Sequence, residues 1–284
     1  MGSLRQDLRS AAVAALEEDL LRQVPLCREG ERCAVVLSGS TVTPDADAYS
    51  GCDLIVYRDG AGPAEGAWHN VRRPPHFYRY RVQPLEALRA ALARGEDEAL
   101  YLARHGDVLH DPAGALRAVL DAAATGPELW RRKLAQQYRA CRQRRASLAW
   151  ALRRGQPMQV LDNLNRLLEH AMRCCHYLDS EPAPGRKWLL RSGLRTAAGR
   201  RLREPMLELF SALGGLATLG GSLQLQHNRL YLQAGALQRQ LESVLQEAGL
   251  PVPGLASECG DGQDANGADG RAPRPRPGRS RPRG

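Results

Sequence analysis

Aromatic side chains make up only 5% of the 284 residues, and just two of them are Phe. A core with so few rings has to be aliphatic, and the abundance of Ala, Leu and Arg favours helix. No apolar run approaches the roughly 20 residues that a membrane-spanning helix needs. The N-terminal residues are rich in Arg, Asp and Glu and lack a clean apolar segment, so no secretory leader is expected. The seven cysteines (27, 33, 52, 141, 174, 175 and 259) are odd in number and form no Cys-x-x-Cys pair. Several stand in apolar or helical surroundings, so a reduced compartment is expected and the location reads as cytoplasmic. No Walker lysine follows Gly39, which excludes a P-loop, and Ser38-Gly39-Ser40 lacks the surroundings of a hydrolase nucleophile elbow.

What is present is length, aliphatic content and positive charge. The length suffices for two modest domains, and 43% hydrophobic residues support real cores. The net charge of +9 permits an anionic partner such as a nucleotide or nucleic acid. Part of the excess sits at the C-terminus, where residues 271–283 hold six Arg and no acid. Residues 251–284 are dominated by Gly, Pro, Asp and Arg, and are expected to form a disordered basic tail.

Residues 4–24 repeat apolar positions at three- and four-residue spacing and predict an amphipathic helix that Pro25 ends. Residues 33–37 read as a buried strand, and residues 53–57 as a second. In the run WHNVRRPPHFYRYRV (68–82), residues 77–82 alternate as a strand with Tyr78, Tyr80 and Val82 on one face and Phe77, Arg79 and Arg81 on the other. That basic and aromatic mixture suits either a strand whose Arg face is solvated or meets an anion, or a nucleic-acid platform. Pro84 opens a helix over 85–94 that Gly95 stops. A short helix and a strand-like end follow in 96–109, then a turn at 111–114 and a helix at 115–124.

Gly126-Pro127 marks the expected domain boundary, and after it only helices are predicted: 129–154, 158–178, a short one opening at 186, 203–213 and 229–248. The domains are therefore expected at 1–126 (α/β, small mixed sheet), 127–250 (all-α helical bundle) and 251–284 (tail). The helix at 129–154 carries nine basic residues and no acid. These are read as a solvated surface that also lines an anionic-ligand cleft, with an RNA-facing surface as the alternative.

The segment CAVVLSGSTVTPDADAYSGCDLIVY (33–57) organises the chain. An apolar strand ends in Ser38-Gly39-Ser40, ten residues follow (41–50), and a second strand carries Asp53. This resembles the signature of the nucleotidyltransferase superfamily that includes the antibiotic adenylyltransferases: a Gly-Ser turn, about ten residues, then acidic-apolar-acidic on a strand. The run ALYLARHGDVLHDPAGAL (99–116) resembles a second segment of that superfamily, a short strand ending in Leu-x-Asp-Pro before a helix.

The resemblance implies an N-terminal nucleotidyltransferase-like α/β domain and a helical bundle that covers the cleft and selects the acceptor. It implies transfer of a nucleoside monophosphate from a triphosphate, ATP as first candidate, to a hydroxyl of a small molecule or macromolecule. The cofactor it implies is Mg²⁺, held by carboxylates two residues apart on one strand face. Gly39 and Ser40 then match the phosphate-binding turn, Asp53 the catalytic metal ligand, and Lys187 a helical-domain lysine that reaches the triphosphate.

The match is incomplete. The first acidic position is Gly51, and the strand expected to supply a third acid carries Arg79 and Arg81. Three readings stand open: a catalytically degenerate protein that binds nucleotide or a partner, an enzyme that borrows Asp45 and Asp47 from the preceding loop, or a shared fold alone. Apart from these, His170 and Cys174 share a helix face, which suits either a metal site or a buried helix.

Overall fold

A computed structural model describes residues 2–15, 33–43, 50–58, 65–73, 76–123, 125–213 and 225–250. Five strands form one sheet in the order β3-β4-β2-β1-β5: β1 Cys33–Ser38, β2 Cys52–Arg58, β3 Glu65–Arg73, β4 His76–Pro84 and β5 Asp107–His110. The sheet is mixed. β1 runs antiparallel to β2 and β5, β3 antiparallel to β4, and β2 parallel to β4.

Strand alternation sorts the side chains onto two faces. Cys33, Val35, Leu37, Leu54, Val56, Tyr78 and Val82 pack on one face with Ala12 of helix α1 (Gly2–Ala15). The Tyr78 hydroxyl donates to the Ala11 carbonyl across this contact. The opposite face buries Ala34, Val36, Ile55 and Tyr57 against α2 (Leu85–Arg94) and α3 (Asp97–His105). Gly95 closes α2 at φ +70°, and its N–H satisfies the carbonyls of Ala91 and Leu92. α4 (Ala115–Asp121) follows β5.

From Pro127 onward the described elements are helical: α5 (Pro127–Arg153), α6 (Pro157–Leu178), α7 (Arg186–Gly193), α8 (Ala197–Ala212) and α9 (Arg229–Glu247). The α/β part with a small mixed sheet followed by an all-α bundle is therefore the architecture expected from the sequence. One apolar cluster runs from Val36 and Ile55 through Leu100, Trp130 and Tyr177 to Leu167 and Leu237. α9 is tied to α5 by a buried polar link: Tyr138 and Gln238 both donate to Glu242, at 2.6 and 2.7 Å.

Two elements differ from the expectation. β3 is a full strand, although residues 65–73 carry no apolar alternation. It lies at the sheet edge, where only one neighbour constrains it. α8 starts at Ala197 rather than at residue 203, because the Thr196 side chain caps it by accepting from the Gly199 N–H at 2.9 Å. Pro205 lies inside that helix. Its missing N–H leaves a carbonyl one turn back, at exposed Arg201, which water can reach. Helix residues expected at 16–24, Asp45 and Asp47, and the tail at 251–284 lie outside the described residues. Among the described residues, no helix is long and apolar enough to cross a membrane.

His176 on α6 bridges to α7 through Ser192, with Nε2 and Oγ 2.9 Å apart. Burial lowers its pKa from 6.5 to about 4, against the opposite pull of Glu181 and Asp97. Between those values the unfolded chain binds a proton that the folded chain refuses, so stability is complete above pH 6.5 and falls as the pH drops toward 4. Denaturant midpoints measured across that window are expected to fall with acidity less steeply in His176→Gln than in the wild type.

Candidate functional site

The parallel register of β2 and β4 sets Asp53 directly opposite Arg79, and Ile55 opposite Arg81. All four lie on the sheet face turned toward the helical bundle. Ile55 joins the apolar core and, with Asp53, Arg79 and Arg81, lines a cleft of about 730 Å³. The same cleft is lined by Gly39 and Ser40 on the sheet side and by Arg173, Arg186, Lys187 and Trp188 on the helical side. Gly39, Ser40, Asp53 and Lys187, far apart in sequence, are thus brought to one cavity.

The Gly-Ser turn is a 3-10 turn, Gly39–Val42, pinned by its own hydroxyls. Thr41 Oγ1 donates to the Ser38 carbonyl and Thr43 Oγ1 to the Ser40 carbonyl, both at 2.9 Å. Gly39 takes φ +75°, and a Cβ there would stand 2.6 Å from Asp53 Oδ2. Only a glycine backbone permits this approach of the turn to the carboxylate.

Asp53 is engaged on both oxygens. Arg79 Nε donates to Oδ1 at 2.5 Å and Arg79 Nη2 to Oδ2 at 2.8 Å, a bidentate pair. The hydrogen bond to Asp53 is the main cause that raises the Arg79 pKa, so this guanidinium stays charged. Arg79 and Arg81 both stack on Trp68 of β3, with the guanidinium carbons 4.5 and 4.8 Å from the ring centroid. Arg81 also pairs with Glu98 of α3, while its Nε is buried with no acceptor.

Gly51, at the vacant acidic position, is covered by Phe77: a Cβ would lie 3.1 Å from the Phe77 ring and 3.2 Å from the Phe77 carbonyl oxygen. A side chain at this position would need Phe77, which is 42% exposed, to give way by a few tenths of an ångström. Among the described residues, no group of three or more His, Cys, Asp or Glu is placed to hold a metal ion. His170 and Cys174 do not meet as ligands: His170 Nδ1 lies 2.6 Å from Gln137 Oε1, and Cys174 is fully buried.

Deeper in the cleft stands Asp97, the first residue of α3, which the sequence did not single out. It accepts from Lys133 at 2.8 Å and from the Tyr177 hydroxyl at 2.7 and 2.6 Å, and it pairs with Arg173. Burial, and then Asp97, push the Tyr177 phenol well up, so it remains a donor. Arg173 continues to Glu169 at 3.1 Å, and Glu169 to Arg186 at 3.5 Å. No sequence spacing predicts this convergence of residues 97, 133, 173 and 177. The available signal was a run of three acids, Glu96-Asp97-Glu98, at a helix start after a Gly stop.

The cleft is lined by five cations (Arg79, Arg81, Arg173, Arg186, Lys187) and three carboxylates (Asp53, Asp97, Glu98), an excess of two positive charges. Several basic residues of α5 are engaged within the protein. Lys133 also donates to the Gly95 carbonyl at 2.6 Å, Arg131 pairs with Glu128, and Arg145 stacks on Tyr231. Removing the Asp97 carboxylate would take the carboxylate partner from partly buried Lys133 and one of two from Arg173; for fully buried pairs such losses cost about 3–5 kcal/mol, which sets the upper bound here. Asp97→Ala is expected to lower the urea midpoint markedly, whereas Glu128→Ala, which breaks an exposed pair, is expected to leave it within experimental error.

A family model described as a domain of unknown function (DUF4037) matches residues 93–189. That segment contains Asp97, Lys133, Arg173, Arg186 and Lys187. No curated protein matches the chain. The crystal structure of a nucleotidyltransferase-like protein from Exiguobacterium sibiricum 255-15 aligns with 84% of this chain and 77% of its own, at 10% sequence identity and a TM-score of 0.45.

Proposed function

We propose that this protein is a nucleotidyltransferase-like protein whose cleft binds a nucleoside triphosphate without catalysing nucleotidyl transfer. The observation that carries this reading is the bidentate Asp53–Arg79 pair, which occupies both oxygens of the lone carboxylate beside the Gly-Ser turn. Two-metal nucleotidyl transfer needs acidic ligands that converge on two cations about 4 Å apart. Here the i−2 position is Gly51 beneath Phe77, and the neighbouring strand offers Arg79 and Arg81. These residues do not fit a Mg²⁺ pair.

Binding is a different matter. The cavity volume suits a nucleotide-sized ligand. The Gly39–Ser40 turn offers backbone N–H groups to phosphate oxygens. Arg79 and Arg81 on one wall and Arg186 and Lys187 on the other suit a polyanion, and Arg replaces metal charge with planar, bidentate donors. Trp188 and Phe77 provide flat apolar surface at the rim for a base.

ATP is expected to raise the melting temperature and to bind in calorimetric titration, and Lys187→Ala together with Arg186→Ala is expected to weaken that binding. With α-labelled ATP, Mg²⁺ or Mn²⁺, and cell extract as a source of acceptors, no labelled product is expected. A labelled product that disappears in Asp53→Ala would instead make the protein an active transferase. Absence of binding by any nucleoside triphosphate would remove the nucleotide reading altogether.

A further inference from the structure

The geometry points to a metal-independent polyphosphate site that works by ion-pair exchange: Arg79 and Arg81 are held ready by Asp53 and Glu98, and the phosphate chain takes them over from these carboxylates. This rests on the placement of the ligand in the cleft proposed above, but it specifies the ligand's chemistry and the means of its capture.

Three features support it. First, the two guanidiniums are presented side by side on one strand face. Residues 79 and 81 are two apart on β4, and both stack on Trp68. Their charge is thereby fixed at one wall, where a linear phosphate chain can span both. Second, their carboxylate partners come from different elements, Asp53 from β2 and Glu98 from α3, and each holds its Arg from one side. Glu98 holds Arg81 through Nη2 alone, so the guanidinium's other donors lie outside that pair. Third, the Glu98 side chain is 71% exposed, so it can swing to solvent when displaced. Asp53 is confined by the Gly39 backbone, so in that pair it is the Arg79 guanidinium, with a side chain 41% exposed, that turns from the carboxylate to the phosphate.

The exchange is physically favourable because a polyphosphate carries more charge per contact than a carboxylate and accepts bidentate guanidinium bonds equally well. The released carboxylates then oppose binding by like charge. Neutralising either one is expected to tighten binding, the reverse of what a metal-dependent site would show.

The test uses the full chain, inorganic tripolyphosphate as probe, and excess EDTA, with binding read by calorimetry. Tripolyphosphate is expected to bind in EDTA. Asp53→Asn and Glu98→Gln are each expected to tighten it by roughly several-fold to tenfold, and Arg79→Gln and Arg81→Gln to weaken it by about tenfold or more. Melting curves verify that each variant is folded, and the exposed Glu98 gives an arm that does not depend on a buried contact. Binding only in the presence of Mg²⁺, or weaker binding in Asp53→Asn and Glu98→Gln, would overturn the exchange mechanism. The two proposals fail separately. If ATP binds only with Mg²⁺, the nucleotide reading survives and the exchange is wrong. If tripolyphosphate binds in EDTA and ATP binds no more tightly than it, the exchange stands and the ligand is inorganic polyphosphate rather than a nucleotide.

Discussion

The pairing of Asp53 with Arg79 is set by strand register, and the character of the cleft depends on it. Because β2 and β4 run parallel with residue 53 opposite 79, a carboxylate and a guanidinium are forced onto the same face at hydrogen-bonding distance. A shift of one residue would turn one of them into the apolar layer that holds Leu54 and Tyr78. The Gly39 backbone closes the third side of the carboxylate. An aspartate that would be a hard, open ligand in a metal site accepts here two bonds from one arginine.

A second ion-pair centre holds the cleft's other wall. Asp97 collects Lys133 from α5 and Arg173 and Tyr177 from α6, so the first turn of α3, beside the sheet, is fastened to two bundle helices by one carboxylate. Partial burial of such a carboxylate is costly without partners, and here Lys133, Arg173 and Tyr177 supply them. Through Glu169 the same chain of contacts reaches Arg186, next to Lys187 and Trp188. The positions of the basic residues on the helical wall therefore depend on the packing of the α/β part against the bundle, which the continuous apolar cluster provides.

Much of this was legible in the sequence, for identifiable reasons. The strands at 33–38 and 52–58 announce themselves as short apolar runs, and the Gly95 stop as a positive-φ position after an amphipathic helix. The Arg face of β4 follows from strict alternation. The partners on that face did not follow, because register between strands distant in sequence is a tertiary property; the sequence showed Arg79 where an acid was expected but not that Arg79 would take Asp53. It showed Gly51 as an absence, while only packing reveals Phe77 over it. Edge strand β3 was missed because an edge needs no apolar alternation, and the start of α8 because Gly199 and Pro205 disguise a helix capped by Thr196. The Asp97 centre depends on four residues with no common period.

In the proposed function the Asp53 carboxylate serves an arginine rather than a metal. Crystals grown with a non-hydrolysable triphosphate analogue and Mn²⁺, measured for anomalous scattering, address this directly. Phosphate density is expected against Arg79 and Arg81, with no manganese peak at Asp53. A manganese peak within coordination distance of the Asp53 oxygens, with Arg79 swung away, would contradict it.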